Sequence, residues 1–254
     1  MIDIHCHILP GLDDGAQNLD DSIRMAKAAA AEGITKIVAT PHHMNGTHIN
    51  QKAVIVDHVN RLNKALDEQK IPLTIIPGQE TRIHGELLQG IENGEILPIQ
   101  DTRYMLIELP SGHVPRYTET MLFDLQIKGF TPIIVHPERN AEIIENPDLL
   151  YNLVKKGSLT QVTAASLTGH FGKKIRKFSL ELVEAQLTHI IASDAHNTTT
   201  RGFQLLNGLD VLNKEFGSEA AYLYRENAEI ILQNHSIGGH PPSRIKKKKF
   251  LGIF

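Results

Sequence analysis

The chain has 254 residues, 41% hydrophobic and 22% charged, enough for one α/β barrel or two small domains with ample core material. A net charge of −3 argues against a nucleic-acid binder that works through overall basicity, and Cys6, the only cysteine, excludes an internal disulfide and a thiolate zinc cluster. Fourteen dispersed histidines against no tryptophan are the departure from an ordinary composition.

No basic-then-apolar leader and no apolar run near ~18 residues is present, so a soluble, reduced, cytoplasmic protein is expected. The chain opens MIDIHCHILPGLDDG, with a strand from Ile2 to Ile4. Strand alternation predicts His5 and His7 side by side on one face, with Ile4, Cys6 and Ile8 on the other. The turn that follows carries Asp13 and Asp14. Residues Asp20–Glu32 form a predicted amphipathic helix with Ile23, Ala26 and Ala30 on its apolar stripe and Gly33 as its stop.

Strand Lys36–Thr40 leads into Pro41-His42-His43, and Leu73–Pro77 leads to Glu80. Glu108 interrupts the apolar strand Tyr104–Leu109. A helix over Met121–Lys128 stops at Gly129, and strand Thr131–Val135 runs into His136, Glu138 and Arg139 of HPER. The helix in LYNLVKKG stops at Gly157 before strand Leu159–Thr163, and the last strand, His189–Ser193, delivers Asp194 and His196. Runs such as KIVAT, TPIIV and HIIAS are β-branched with little alternation, and helix–Gly–strand steps recur, as in parallel βα repeats. The compositional break in SIGGHPPSRIKKKKFLGIF divides an expected domain of residues 1–237 from a tail of residues 238–254.

Seven strands alternating with helices predict one parallel α/β domain, either a closed barrel or an open sheet. No glycine-rich phosphate loop follows the first strand, which disfavours a nucleotide fold. Six of the seven strands end in His, Asp or Glu, at the end where α/β barrels assemble active sites. Singly, each has an ordinary reading: His42 and His136 as loop histidines, Asp194 as a helix cap. Glu108 resists one, because a lone acid in a buried strand costs several kcal/mol unless paired or bound to metal. Together they predict a multinuclear site of imidazole and carboxylate ligands suited to manganese, iron or zinc. Eight or nine ligands suit two or three ions, with Glu80 as a bridge.

The set HxH, the turn acid, ATPHH, GQE, LIELP, HPER and IASDAHN resembles the polymerase and histidinol phosphatase superfamily. Within it the chain is most similar to the bacterial branch of manganese-dependent protein-tyrosine phosphatases encoded with polysaccharide export kinases. The resemblance implies a single-domain, distorted (β/α)7 TIM-like barrel with three Mn2+ ions at the C-terminal rim of its strands. By position it implies one ion on His5, His7, Glu80 and Asp194, a second on Glu80, Glu108 and His136, and a third on Asp14, His42 and His196. It also implies that Arg139 and Arg201 bind phosphate. QVTAASL, after the sixth strand, is given no role, and His43 is read as a bystander.

The activity so implied is phosphotyrosine hydrolysis by a water activated between two metals, acting on a bacterial tyrosine kinase of polysaccharide synthesis and its substrates. A cysteine phosphatase would need arginine six positions after Cys6, where Leu12 stands. Alternatives are a small-molecule phosphatase of histidinol-phosphate type, an amidohydrolase, or a metal-stabilised kinase-binding module without turnover. Arg244 and Lys246–Lys249 offer contact with anionic lipid or an acidic tail, against the plainer reading of a solvated end. His113 and Arg116 are candidates for the mouth of the site.

Overall fold

Every strand pairing in the computed structural model, which describes residues 1–245, is parallel. Strands β1 (Ile2–Cys6), β2 (Lys36–Ala39) and β4 (Thr74–Pro77) form one sheet in the order β1-β2-β4. A second sheet runs β3 (His42–His43), β5 (Glu80–Arg82), β6 (Tyr104–Glu108), β7 (Thr131–Val135), β8 (Leu159–Thr163) and β9 (Ile190–Ala192). Two short strands, β3 and β5, thus join the seven predicted ones, each set off from the strand before it for a local reason. Pro41 has no N–H to give the ladder, and it parts β3 from β2. Gly78 and Gln79 part β5 from β4. Hydrogen bonds still cross the break, from Gly78 N–H to the Ala39 carbonyl (2.9 Å) and from Glu80 N–H to the Pro41 carbonyl (3.1 Å), so each pair acts as one long strand.

The two ends of this strand series meet. Asp194 N–H donates to the His5 carbonyl and His7 N–H to the Ala195 carbonyl, each at 2.9 Å, and Cys6 faces Ala195 in a parallel bridge. The seam lies just beyond β9, at the rim where the predicted ligands sit.

The helices are α1 (Leu19–Ala31), α2 (Lys52–Glu68), α3 (Leu87–Glu92), α4 (Thr118–Ile127), α5 (Ala141–Glu145) and α6 (Asp148–Lys155), then α7 (Ala164–Thr168), α8 (Lys173–Glu184), α9 (Leu205–Phe216) and α10 (Ser218–Leu232). Asn18 caps α1 by accepting from Asp21 N–H, and Ile23 and Ala26 are buried as predicted. Ala30 is only half-buried; Ala29 takes its place, with Ser22 and Met25 widening the stripe. Gly129, with φ +89°, follows α4 and turns the chain into β7, a left-handed conformation that costs glycine nothing. Helices α9 and α10 lie in a stretch whose pattern was not assigned from sequence. Ala228 and Ile231 of α10 join an inner cluster with Ile4, Ile190 and Ala192, so α10 packs across the end of the strands opposite the rim.

Apolar residues on the strands alternate between two cores. Ile133 and Val135 of β7 join the inner cluster, whereas Ile134 joins the outer one beneath the helices. Strand β1 departs from simple alternation. Ile4 lies in the inner cluster, while Cys6 and Ile8 lie in the outer one, so the expectation that these three share a face is corrected. The register shifts between Asp3 and Cys6, a β-bulge that turns the following residues over. Asp3 anchors the bulge, accepting from the N–H and hydroxyl of Ser193. The bulge puts His5 and His7 on the inner face above Ile4.

Candidate metal centre

Two imidazoles and one carboxylate form the middle of the rim cluster. The Nε2 atoms of His5 and His7 lie 3.3 Å apart, and Glu80 Oε2 lies 3.3 Å from each. Glu80 and His42 open β5 and β3 as register partners, which brings His42 Nδ1 to 2.9 Å from the same oxygen. The other Glu80 oxygen, Oε1, meets His136 Nε2 at 2.7 Å. Asp194 Oδ1 stands 3.5 Å from His5 Nε2 and 3.3 Å from His7 Nε2. Asp14 Oδ1 lies 3.5 Å from His42 Nε2 and 3.4 Å from His196 Nε2.

Ligand atoms within 4.8 Å of one another fall into three overlapping sets: His5, His7 and Glu80; His42, Glu80 and Glu108; and His7, Asp14, His42 and His196. These sets hold seven of the nine predicted ligands, and Asp194 and His136 join them through the contacts above, so all nine reach one rim. Their grouping differs in detail from the expectation. His42 stands beside both Glu80 and Glu108, at 3.8 Å from Glu108 Oε2, while His136 approaches Glu80 from the other side. His7 joins the set predicted as Asp14, His42 and His196.

Two rim residues hold strained backbones. His136 has φ +37° and Asp194 φ +54°, a region a non-glycine residue occupies at some cost. His136 is the first residue beyond β7 and Asp194 the second beyond β9, and each turn aims the side chain inward.

Burial opposes ionisation of Glu80, but His5 and His42 outweigh it and hold the carboxyl well below the usual range. Asp194 is likewise held low against burial, by Arg139 and a hydrogen bond from His7. Glu108 is pushed up by burial and by the neighbouring Glu80 charge. Burial lowers His136 and His196 to about 4, leaving both imidazoles neutral with a lone pair to donate. Glu80 Oε2, His42 Nδ1 and His196 Nε2 are buried and, although Glu80 and His42 stand 2.9 Å apart and His196 3.4 Å from Asp14, none makes a well-aligned hydrogen bond among the described residues. Neutral imidazoles at His136 and His196 and carboxylates held ionised at Glu80 and Asp194 fit divalent cations with nitrogen and oxygen ligands. Against burial, the same carboxylates raise His5 and His42, and Asp13 with them raises His7, so a bound cation would displace protons from these three rings.

Behind these side chains stands a layer that sequence reading did not assign. Gln161 Oε1 accepts from His5 Nδ1 (2.8 Å) and Asp13 Oδ2 from His7 Nδ1 (2.7 Å), which leaves both Nε2 atoms free to face the cluster. Asp13 also accepts the N–H of Gly15 and of His42. Arg82 grips Glu108 with Nε at 2.8 Å and Nη2 at 2.9 Å. Glu138 accepts from Thr163 N–H (3.0 Å) and Ser166 Oγ (2.6 Å), fixing the HPER turn. QVTAASL, given no role from sequence, thus supplies Gln161, Thr163 and Ser166. The available signals were a glutamine amid strand residues and an arginine two positions after Glu80.

Arg139 and Arg201 both reach the site. Their Nη2 atoms donate to Asp194 Oδ2 at 2.6 and 3.2 Å, and Arg201 Nη1 lies 3.6 Å from Asp14 Oδ2. Both line a cleft with His42, Glu108, His136 and Ser111. His113 and Arg116 are exposed and do not line that cleft. His43 is buried apart from the cluster, and burial holds its imidazole neutral. Cys6 is 0% exposed and its thiol is pushed well up by burial, so it has no nucleophilic part. Arg244 pairs with Asp148 at 2.5 Å and covers the Tyr151 ring at 4.5 Å, whereas Lys246–Lys249 lie outside the described residues.

The capsular polysaccharide synthesis family CpsB/CapC matches residues 1–233. YwqE, a tyrosine-protein phosphatase of Bacillus subtilis strain 168, is 54% identical over 254 residues, covering both chains entirely. CapC of Staphylococcus aureus is 41% identical, again over the whole of both chains. A crystal structure of YwqE, described as a metal-dependent tyrosine phosphatase, superposes with a TM-score of 0.95 over 97% of this chain and 100% of that one. A β-aspartyl dipeptidase from Fervidobacterium islandicum AW-1 shares the fold alone, at 16% identity and a TM-score of 0.53 over 95% of this chain and 77% of that one.

Proposed function

The chain belongs to the capsular polysaccharide synthesis family CpsB/CapC, and from that premise we propose how its site works as a metal-dependent protein-tyrosine phosphatase. One observation carries the reading: clustered imidazoles and carboxylates and two arginines converge on a single rim. His5, His7, Asp14, His42, Glu80, Glu108, His136, Asp194 and His196 are the proposed metal ligands. Mn2+ is the proposed metal, in three sites, with iron or zinc also compatible with the donors. Bound cations would supply Lewis-acid charge and lower the pKa of a water nucleophile.

The chain's own groups do the rest. Arg139 and Arg201 now share Asp194 Oδ2, and a phosphate dianion offers them a better acceptor in the same place. Their approach from one side orients the phosphoryl group over the cluster. The phenolate of tyrosine, whose conjugate acid has a pKa of about 10, leaves more readily than a serine alkoxide. Asp13 and Gln161 hold the His7 and His5 rings in the tautomer that turns Nε2 inward.

The proposed substrate is the phosphotyrosine of a bacterial tyrosine kinase of capsule or exopolysaccharide synthesis, which family membership supports. A cytoplasmic setting belongs to the same proposal; no helix of the described residues is long and apolar enough to cross a membrane. Residues 1–237 are proposed as the catalytic unit. The test is turnover on phosphotyrosine peptide, phosphoserine peptide, histidinol phosphate and simple amides, before and after chelation. Preference for phosphotyrosine, loss with chelator and recovery with manganese are expected. Preference for another substrate, or no turnover with any divalent ion, overturns the proposal.

A further inference from the structure

The two arginines are held in different ways. Arg139 sits on a short 3-10 turn, Pro137–Arg139, anchored through Glu138 to Thr163 and Ser166, and its guanidinium lies 5.4 Å from the centre of the Phe171 ring. Arg201 instead ends a loop whose preceding residues, Thr198–Thr200, are all exposed and bring no apolar anchor.

That loop is organised around one atom. Asn197 Oδ1 accepts from the N–H groups of Thr199 (2.9 Å), Thr200 (2.9 Å) and Arg201 (3.0 Å), and from the Thr199 hydroxyl (3.1 Å). The Arg201 carbonyl closes the knot by accepting from His196 N–H at 2.9 Å and Asn197 N–H at 3.2 Å. Three successive N–H groups turned toward one side-chain oxygen is a turn that a main-chain sequence of threonines does not favour by itself. The same loop begins at His196, so its shape sets how far Arg201 stands from the ligand cluster.

We propose that Asn197 is a positioning residue for phosphate binding, acting through Arg201. This rests on the reading of Arg201 as a phosphate ligand given above. The Asn197 side chain bonds only within its own loop, to Thr199, Thr200 and Arg201, and belongs to none of the ligand sets. Its amide oxygen holds the Arg201 backbone so that the guanidinium reaches over Asp194 and Asp14, where the phosphoryl oxygens would lie. An aspartate at this position keeps the acceptor oxygen, and an alanine removes it.

The test measures inhibition by inorganic phosphate, together with KM and kcat for p-nitrophenyl phosphate, in manganese-loaded full-length protein. The variants are Asn197→Ala, Asn197→Asp, Arg201→Ala and the double variant N197A/R201A, with bound manganese and melting temperature measured for each. Arg201→Ala and Asn197→Ala should each weaken phosphate inhibition about ten-fold, with bound manganese unchanged. Asn197→Asp should stay within about three-fold of the parent, and N197A/R201A should be no worse than Arg201→Ala alone. Parent-like inhibition in Asn197→Ala beside a weakened Arg201→Ala would overturn the assignment of Asn197 only. So would fully additive losses in the double variant, or an Asn197→Asp variant as impaired as the alanine. Unchanged phosphate inhibition in Arg201→Ala would overturn the underlying reading of Arg201 instead.

Discussion

Arg82→Met is expected to destabilise the metal-free protein far more than the manganese-loaded protein. Glu108 is 8% exposed and takes two hydrogen bonds from Arg82, at 2.8 and 2.9 Å, with Glu80 as a like-charged neighbour. Breaking a buried ion pair by removing one partner costs about 3–5 kcal/mol. The Arg82 side chain is 23% exposed, so water reaches the vacated space and the expected loss is about 2–3 kcal/mol. With a urea slope of about 3 kcal/mol/M, the midpoint should fall by roughly 0.7–1 M in chelator. In manganese, a cation beside Glu108 takes over the neutralising role, and the fall should shrink to about a third of that. The double variant R82M/E108Q, which has no carboxylate left to neutralise, should recover part of the loss in chelator. Urea midpoints followed by circular dichroism, with and without manganese, decide it. Equal falls in both conditions would show that no cation shares Glu108 with Arg82.

Asp13→Asn should weaken manganese binding by about 10–100-fold in a chelator competition, because the His7 ring loses its charged acceptor. Gly15→Ala should be more damaging to metal content than to secondary structure. A Cβ there would lie 2.0 Å from the His7 carbonyl oxygen and 2.5 Å from His7 Cβ, so His7 must move; metal analysis and circular dichroism on one sample check this. Burial lowers His189 to about 4, and its Nδ1 accepts from Thr160 N–H at 3.1 Å. The unfolded chain takes up that proton near pH 6.5 and the folded chain only near 4, so this group's contribution is intact above pH 6.5 and is lost as pH falls toward 4. The loss is worth up to about 3 kcal/mol, and His189→Asn, which keeps an acceptor without titrating, should make the fall over that window shallower by about that amount in denaturation at fixed pH, His136 and His196 still contributing theirs.

The strands were legible because buried parallel strands leave β-branched runs, and Thr131–Val135 and Leu159–Thr163 begin and end where the pattern places them. The rim residues were legible because each falls at or just past the C-terminal end of a strand expected from the pattern, as His136 does after Val135. What escaped was non-local. The bulge in β1 depends on Ser193 meeting Asp3 across the seam, which no window around Asp3 contains. Glu108 looked unaccompanied because Arg82 lies 26 residues earlier and becomes its neighbour only when β5 pairs with β6. Gln161 and Ser166 acquire roles only once His5 and Glu138 are brought against them. Pro41, with no N–H for the ladder, explains why Lys36–Thr40 reads as a finished strand, whereas β3 beyond it becomes visible only through its pairing with β5.

Anomalous diffraction at the manganese edge, from crystals grown with manganese, examines the central claim without relying on turnover. Peaks should appear among His5, His7, Glu80 and Asp194, beside His42, and between Asp14 and His196, with Arg139 and Arg201 facing the same cleft. Manganese found only at surface carboxylates, with the rim side chains still bonded to one another, would contradict it.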